Sequence, residues 1–440
     1  MSTLNKDQIP ALVAETLKKQ PIIDMHTHVY APAFGTPVPH NGGTVDPKGL
    51  LLWGVDELIT YHYLVAEVFR VVPASKMPYE QFWKMSKTEQ ADHIWKNLFI
   101  ERSPVGEACR GVLTTLQKLG LDTGPRDLKP IRKWFAEQNP SGYIDKVMQI
   151  SNVSSITMTN PVFSDDEREK WLKAPEKVGG DPRFKAVLRI DPLLRDFPEA
   201  SKKMASWNYA VEPEPSAKTI EESKRFLRDW IDRQKAIYLA VSLPPDFRYP
   251  VEASADARHR AGQTMLEKVV LPVCAERGLP FAMMIGSVLR VNPGLREGGD
   301  MCGKSDIKSV VNLCREFPKN KFFVTMLARE NQHELCVAAR KFGNLMVFGC
   351  WWFLNNPSLI EEIERMRFEL LNTSFIPQHS DARVLDQLIY KWEHSRRIIG
   401  KVLSDKYQDL VDTGWKLTKS EVERDVRHLM ADNFTNFLKA

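Results

Sequence analysis

The sequence predicts an α/β fold, a (β/α)8 barrel of the TIM type, and three observations predict it. Eight short apolar runs recur along its 440 residues. Helix-like amphipathic stretches separate most of them. The first run is followed by H-T-H, not by the G-x-G-x-x-G turn that an open, doubly wound sheet usually carries.

The runs are 21–26 (PIIDMH), 153–159 (VSSITMT), 184–190 (FKAVLRI), 237–242 (IYLAVS), 280–285 (PFAMMI), 321–327 (KFFVTML), 344–350 (NLMVFGC) and 374–379 (SFIPQH). Each is strand length and apolar on both faces, as a parallel strand covered on both sides should be. Residues 219–234, 307–316, 331–341 and 358–371 have helical periodicity between them. About 125 residues separate the first run from the second, far more than one crossover needs. That stretch holds LLWGVDELITYHYLVAEVFRVV, YEQFWKMSKTEQADHIWKNLF and EACRGVLTTLQKLG, with apolar residues three and four apart. It predicts a helical insertion over 49–138 on the loop after strand one. Barrel active sites lie on that face, so the insertion is expected to cover the site. The expectation is one barrel domain over 1–440 with a helical tail after Asp381.

Composition excludes several classes. Hydrophobic residues make up 43% and charged residues 27%, as in an ordinary globular chain. The net charge of +5 comes from 61 basic and 56 acidic residues scattered without a stripe, which argues against nucleic acid. The six cysteines show no C-x-x-C spacing and read as free thiols of a reducing compartment. No apolar run approaches the roughly 18 residues of a membrane span, and the N-terminus has no apolar signal core. A cytoplasmic protein with no membrane partner is expected; a homo-oligomer is left open.

The strongest chemical signal is D-M-H-T-H at 24–28. In extended chain, side chains at i and i+2 share a side, so His26 and His28 face one point. At the C-terminal end of a barrel strand, such an imidazole pair suits a divalent metal. H-S-D-A-R at 379–383 ends the eighth run, which adjoins the first in a closed barrel. Asp381 can then complete the site, and Arg383 can hold an anionic substrate. The plainer reading makes Asp381 a helix cap and Arg383 a surface cation. His379, His259, His333, His394 and His428 lack this pairing and read as structural or exposed. With no ligands at strands five and six, one metal is expected.

Arg189 and Asp191 end strand three, Arg290 follows strand five, and Trp351 and Trp352 follow strand seven. Arginines beside a metal suit a small anionic, oxygen-rich substrate. The tryptophans suit a sugar ring, or simply the core. His62 and Tyr63, within T-Y-H-Y of the insertion, suit proton transfer if the insertion folds over the metal.

Beyond these motifs, blocks such as LLWGVDELITYHYLVAEV, PFAMMIG, FGCWWF and TSFIPQHSDARVLDQLIYKW resemble, in the same order, a shorter bacterial group of uronate isomerases of the amidohydrolase superfamily. The resemblance covers nearly the whole chain. It implies an aldose–ketose isomerisation in hexuronate catabolism, D-glucuronate to D-fructuronate and D-galacturonate to D-tagaturonate. The implied metal ligands are His26, His28 and Asp381, usually with zinc. His62 and Tyr63 match the family's lid pair. Arg189, Arg290 and Arg383 match its substrate arginines, and Trp351 or Trp352 its sugar-contacting tryptophan. The larger branch of the family has a histidine where this chain has Met284. Its G-C-R-x-S-D-H block is replaced by AVSLPPDF, which leaves Asp246 a weak stand-in.

A metal beside acid/base groups and arginines suggests proton transfer through a cis-enediolate. Asp381 or a metal hydroxide would take the C2 proton, and Tyr63 or His62 would move protons among the oxygens. A metal-dependent hydrolase or decarboxylase and a non-catalytic sugar-acid sensor are the competing readings.

Overall fold

Seven of the eight apolar runs form one curled parallel sheet in this computed structural model, which describes residues 3–440. The strands are β1 (Ile22–Thr27), β2 (Val153–Pro161), β3 (Phe184–Arg189), β4 (Leu239–Leu243) and β5 (Phe281–Ile285). A short hairpin of β6 (Ser287–Val288) and β7 (Met301–Cys302) follows, and then β8 (Phe322–Met326) and β9 (Leu345–Val347). Apart from the hairpin, spatial order equals chain order, as successive strand–helix units dictate. Every residue of β4, β5 and β8 is buried, which explains why their sequences show no polar alternation.

Alternation survives in a different form, as two separate cores. One lies between the strands and the surrounding helices. The other is built from Met25, Val187, Ala240, Ala282, Met284, Phe323, Phe348 and Ile376, inner-facing side chains of successive strands. Phe434 and Phe437, from the helix Asn433–Lys439, close this inner core at the end away from His26.

The eighth run is not a strand in the structure. It makes a single parallel bridge, Phe348 to Ile376. The next residue is Pro377, which has no N–H to continue a ladder. Side chains serve the backbone groups instead. The buried Arg367 donates to the carbonyls of Gly349 (2.7 Å) and Pro377 (3.3 Å), and Gln378 accepts from the Cys350 N–H at 2.8 Å. Just past the segment the chain meets the end of β1: Asp381 N–H donates to the His26 carbonyl, and His28 N–H to that of Ala382.

The long first connection is helical. It contains α1–α7 of the connection, numbered here as Val55–Ile59 (α1), His62–Val71 (α2), Tyr79–Lys84 (α3), Lys87–Trp95 (α4), Glu107–Lys118 (α5), Leu128–Ala136 (α6) and Pro140–Ser151 (α7). Only α7 leads back into β2. The tail forms the helix Gln387–Asp412 and a further helical stretch beginning at Lys419. Among the described residues no helix is long and apolar enough to cross a membrane, and all six cysteines are unpaired.

Candidate active site

At the end of β1 the pairing with β2 slips between Asp24 and Thr27. Such an irregularity re-aims side chains locally, and the His26 and His28 rings lie edge to face with centroids 5.3 Å apart. Asp381 reaches them from the other end of the chain. Its Oδ1 is 3.6 Å from His26 Nε2 and 3.4 Å from His28 Nε2. Asp381 has φ of 52°, a left-handed conformation uncommon outside glycine. The surrounding structure supports this turn through Asp24. That buried carboxylate accepts from Ser380 N–H at 3.1 Å and from Trp392 Nε1 at 2.8 Å. Burial pushes the Asp24 carboxyl up to about 6.

The donor set fits a cation. One ligand atom from each of His26, His28 and Asp381 lies within 4.8 Å of the others. His26 is fully buried, and both its ring nitrogens lack a hydrogen-bond partner among the described residues. Burial lowers its basicity well below the usual histidine value, so it carries a free lone pair. The Thr159 hydroxyl donates to the Thr27 carbonyl at 3.0 Å, and Nδ1 of His28 is 2.8 Å away. A hydroxyl has one hydrogen. Nδ1 must therefore donate to Thr159, leaving the Nε2 lone pair toward Asp381. Two lone pairs and an anion converging without a hydrogen between them suit one divalent cation.

The cavity in front of this group, about 470 Å³, is lined by His28, Arg189, Trp351, Trp352, Asp381 and Arg383 among others. Arg189 is held by a fork on Asp191 (2.8 and 3.0 Å) and by Ser242 Oγ (3.0 Å). His62 projects into the cavity from the first turn of α2, edge-on to Trp352 at 5.7 Å. Burial brings its basicity down to about 3, so its ring is neutral. Tyr63 does not line this cavity; it faces an adjoining one. Burial holds its phenol protonated, well above the ordinary tyrosine range. Met284 lines the floor.

Other sequence-selected residues lie elsewhere. Arg290 lines a neighbouring cavity that it shares with His62 and Arg383, not the metal-facing one. Asp246 lines a cavity with Leu194 and Arg248. His379, read from sequence as structural or exposed, is buried edge-on to His26 at 5.3 Å. Gly349 makes room for it: a Cβ there would fall 1.7 Å from His379 Nδ1. Arg195, Tyr30, Tyr61, Asp300 and Glu297 also line the cavity and were not singled out from sequence. Nor was Lys391, whose buried ammonium lies 5.6 Å from the Tyr63 ring centroid. None of these has a spacing signal to mark it.

A curled parallel sheet that gathers two imidazoles and a carboxylate at its C-terminal edge defines an α/β protein with a site for one cation. No family model matches the chain, and no curated protein does. Among solved structures it is similar to a uronate isomerase from Bacillus halodurans C-125, at 50% identity and a TM-score of 0.91, covering 100% of this chain and 98% of that one. This chain belongs to the uronate isomerase family. It also shares the fold of a uronate isomerase from Thermotoga maritima (16% identity, TM-score 0.76, 100% of both chains). The same holds for a glucuronate isomerase from Caulobacter crescentus (15% identity, TM-score 0.75, 99% of this chain and 94% of that one).

Proposed function

We propose that this enzyme interconverts D-glucuronate with D-fructuronate, and D-galacturonate with D-tagaturonate, using one divalent cation, zinc by preference, on His26, His28 and Asp381. The observation that carries the reading is the convergence of those three donors, with His28 and Asp381 on the wall of a cavity that also presents Arg189 and Arg383. A bound cation supplies Lewis-acid polarisation of the carbonyl and its neighbouring hydroxyl.

The chain's own groups do the rest. Arg383 and Arg189 take the uronate carboxylate, for which a guanidinium fork is suited. Asp381, anionic at neutral pH, is the candidate base for the C2 proton; its removal leaves a cis-enediolate, and return of a proton to C1 gives the ketose. His62, neutral and on the cavity wall, is the group that can shuttle protons among the substrate oxygens, with the Tyr63 phenol behind it in the adjoining cavity. Trp351 or Trp352 offers a face to the sugar ring.

Two architectural readings accompany this one. The segment 374–379 acts as the eighth stave of a closed (β/α)8 barrel, supported by the hydrogen bonds of Ile376 to Val347 and Gly349, by those of the following Asp381 and Ala382 to the end of β1, and by Ile376 in the inner core. The insertion over 49–138 acts as a lid, supported by Gly49, Leu50, Tyr61 and His62 on the cavity wall. The unpaired thiols suit a cytoplasmic location.

The test is turnover of both uronates with zinc, with manganese and after metal removal, beside a His26→Ala control. Turnover that survives both metal removal and that substitution would exclude the proposed centre.

A further inference from the structure

Arg383 already has a carboxylate partner. Its Nη1 is hydrogen-bonded to Oε2 of Glu297, from the loop between β6 and β7. The backbone of Arg383 is fixed, its N–H donating to Gln387 Oε1 at 2.8 Å. Glu297 is not a buried structural counter-ion: its side chain is 59% exposed and that of Arg383 43%. An ion pair this wet contributes little and is exchangeable.

The loop under Glu297 is anchored, so the side chain can move without it. Trp83 Nε1 donates to the Gly294 carbonyl at 2.8 Å, and Asn292 Nδ2 to the Tyr79 hydroxyl at 3.0 Å. The Arg296 guanidinium lies 4.3 Å from the Trp83 ring centroid. Gly298 abuts the insertion: a Cβ there would stand 2.9 Å from the His62 carbonyl oxygen. There is also room for rotation. Glu297 borders the metal-facing cavity and two adjoining ones of about 430 and 620 Å³.

We propose that Glu297 is an internal competitor for Arg383: its carboxylate holds the position the uronate carboxylate takes, and substrate binding exchanges one for the other. This rests on the reading of Arg383 as the substrate's carboxylate partner. The exchange keeps the guanidinium paired in both states, and the vacated glutamate swings into a side cavity. A neutral sugar offers Arg383 only hydroxyls, which are weaker partners than an ionised group. It therefore leaves the Arg383–Glu297 pair in place.

The experiment uses the metal-replete full chain. In Glu297→Gln, KM for D-glucuronate falls by roughly two- to five-fold, the range an exposed ion pair contributes, and kcat/KM rises with it. Inhibition by D-glucose, which lacks the carboxylate, is unaltered. Glu297→Ala shifts KM in the same direction. A KM that is unchanged or raised overturns the proposal. A rise in the alanine variant that glutamine repairs would make Glu297 a support for Arg383 instead. Equal tightening of glucose and glucuronate would make it a steric plug and also overturns exchange. Arg383→Gln separates the underlying reading: if it leaves KM for D-glucuronate untouched, Arg383 is not the carboxylate partner, whatever the glutamate variants do.

Discussion

Thr159 sets the tautomer of His28, because its single hydroxyl hydrogen goes to the Thr27 carbonyl and its oxygen must accept from Nδ1. The isosteric Thr159→Val leaves the imidazole free to turn or to protonate the wrong nitrogen. Metal affinity is expected to fall by about 10- to 100-fold, as for other groups that orient ligands. Competition with a chelator of known affinity measures this, and unchanged affinity would refute the tautomer argument.

Asp381 is assigned both ligation and proton abstraction. Asp381→Asn keeps the shape and removes the charge, and kcat is expected to drop by roughly 10²–10⁴-fold. In the unaltered enzyme, turnover in heavy water places deuterium at the receiving carbon at least in part. Complete retention of the original hydrogen would indicate a direct hydride shift and eliminate the enediolate route.

His394 provides a pH test away from the cation. Its Nε2 bonds Asn355 Oδ1 at 3.1 Å, and burial brings its basicity down to about 3. Below the ordinary histidine value the unfolded chain binds a proton that the native one refuses. Stability from this residue is therefore complete above about pH 6.5 and is lost as pH falls toward 3. Between pH 7 and 5, His394→Gln should lose about 1–2 kcal/mol less than the unaltered protein. Urea midpoints at the two pH values provide the comparison, and equal losses contradict it.

Gly298→Ala places a methyl group 2.9 Å from the His62 carbonyl oxygen, a backbone atom that cannot yield cheaply. The expected cost is roughly 1–3 kcal/mol, with a reduced kcat/KM because the insertion and the β6–β7 loop are forced apart. Thermal unfolding and steady-state kinetics read the two effects. A variant normal in both would show that the contact does not hold the insertion in place.

Much of the fold could be read from sequence because buried parallel strands are short and mostly apolar and helix-like stretches separate them, and seven of the eight runs became strands of one sheet. The eighth defeated the pattern: 374–379 is apolar enough, but Pro377 removes the donor a ladder needs. In the site, His26 and His28 were legible because alternation along a strand aims i and i+2 together. Asp381 was legible because a motif stood at the corresponding place 355 residues later. Glu297, Arg195 and Lys391 are single charged residues whose relevance comes only from tertiary placement. Arg290 shows the converse. Its position just after β5 suggested the metal cavity, but the hairpin of β6 and β7 turns it, at φ of 54°, into the neighbouring one.

Two phenyl rings near the C-terminus, Phe434 and Phe437, stopper the underside of the inner core, and Lys321 Nζ fastens their helix by donating to the Leu438 carbonyl at 2.8 Å. Proteolytic trimming there would open a hole beneath Phe323 and Tyr238, admit water to the hydrocarbon interior and slacken the staves that hold His26.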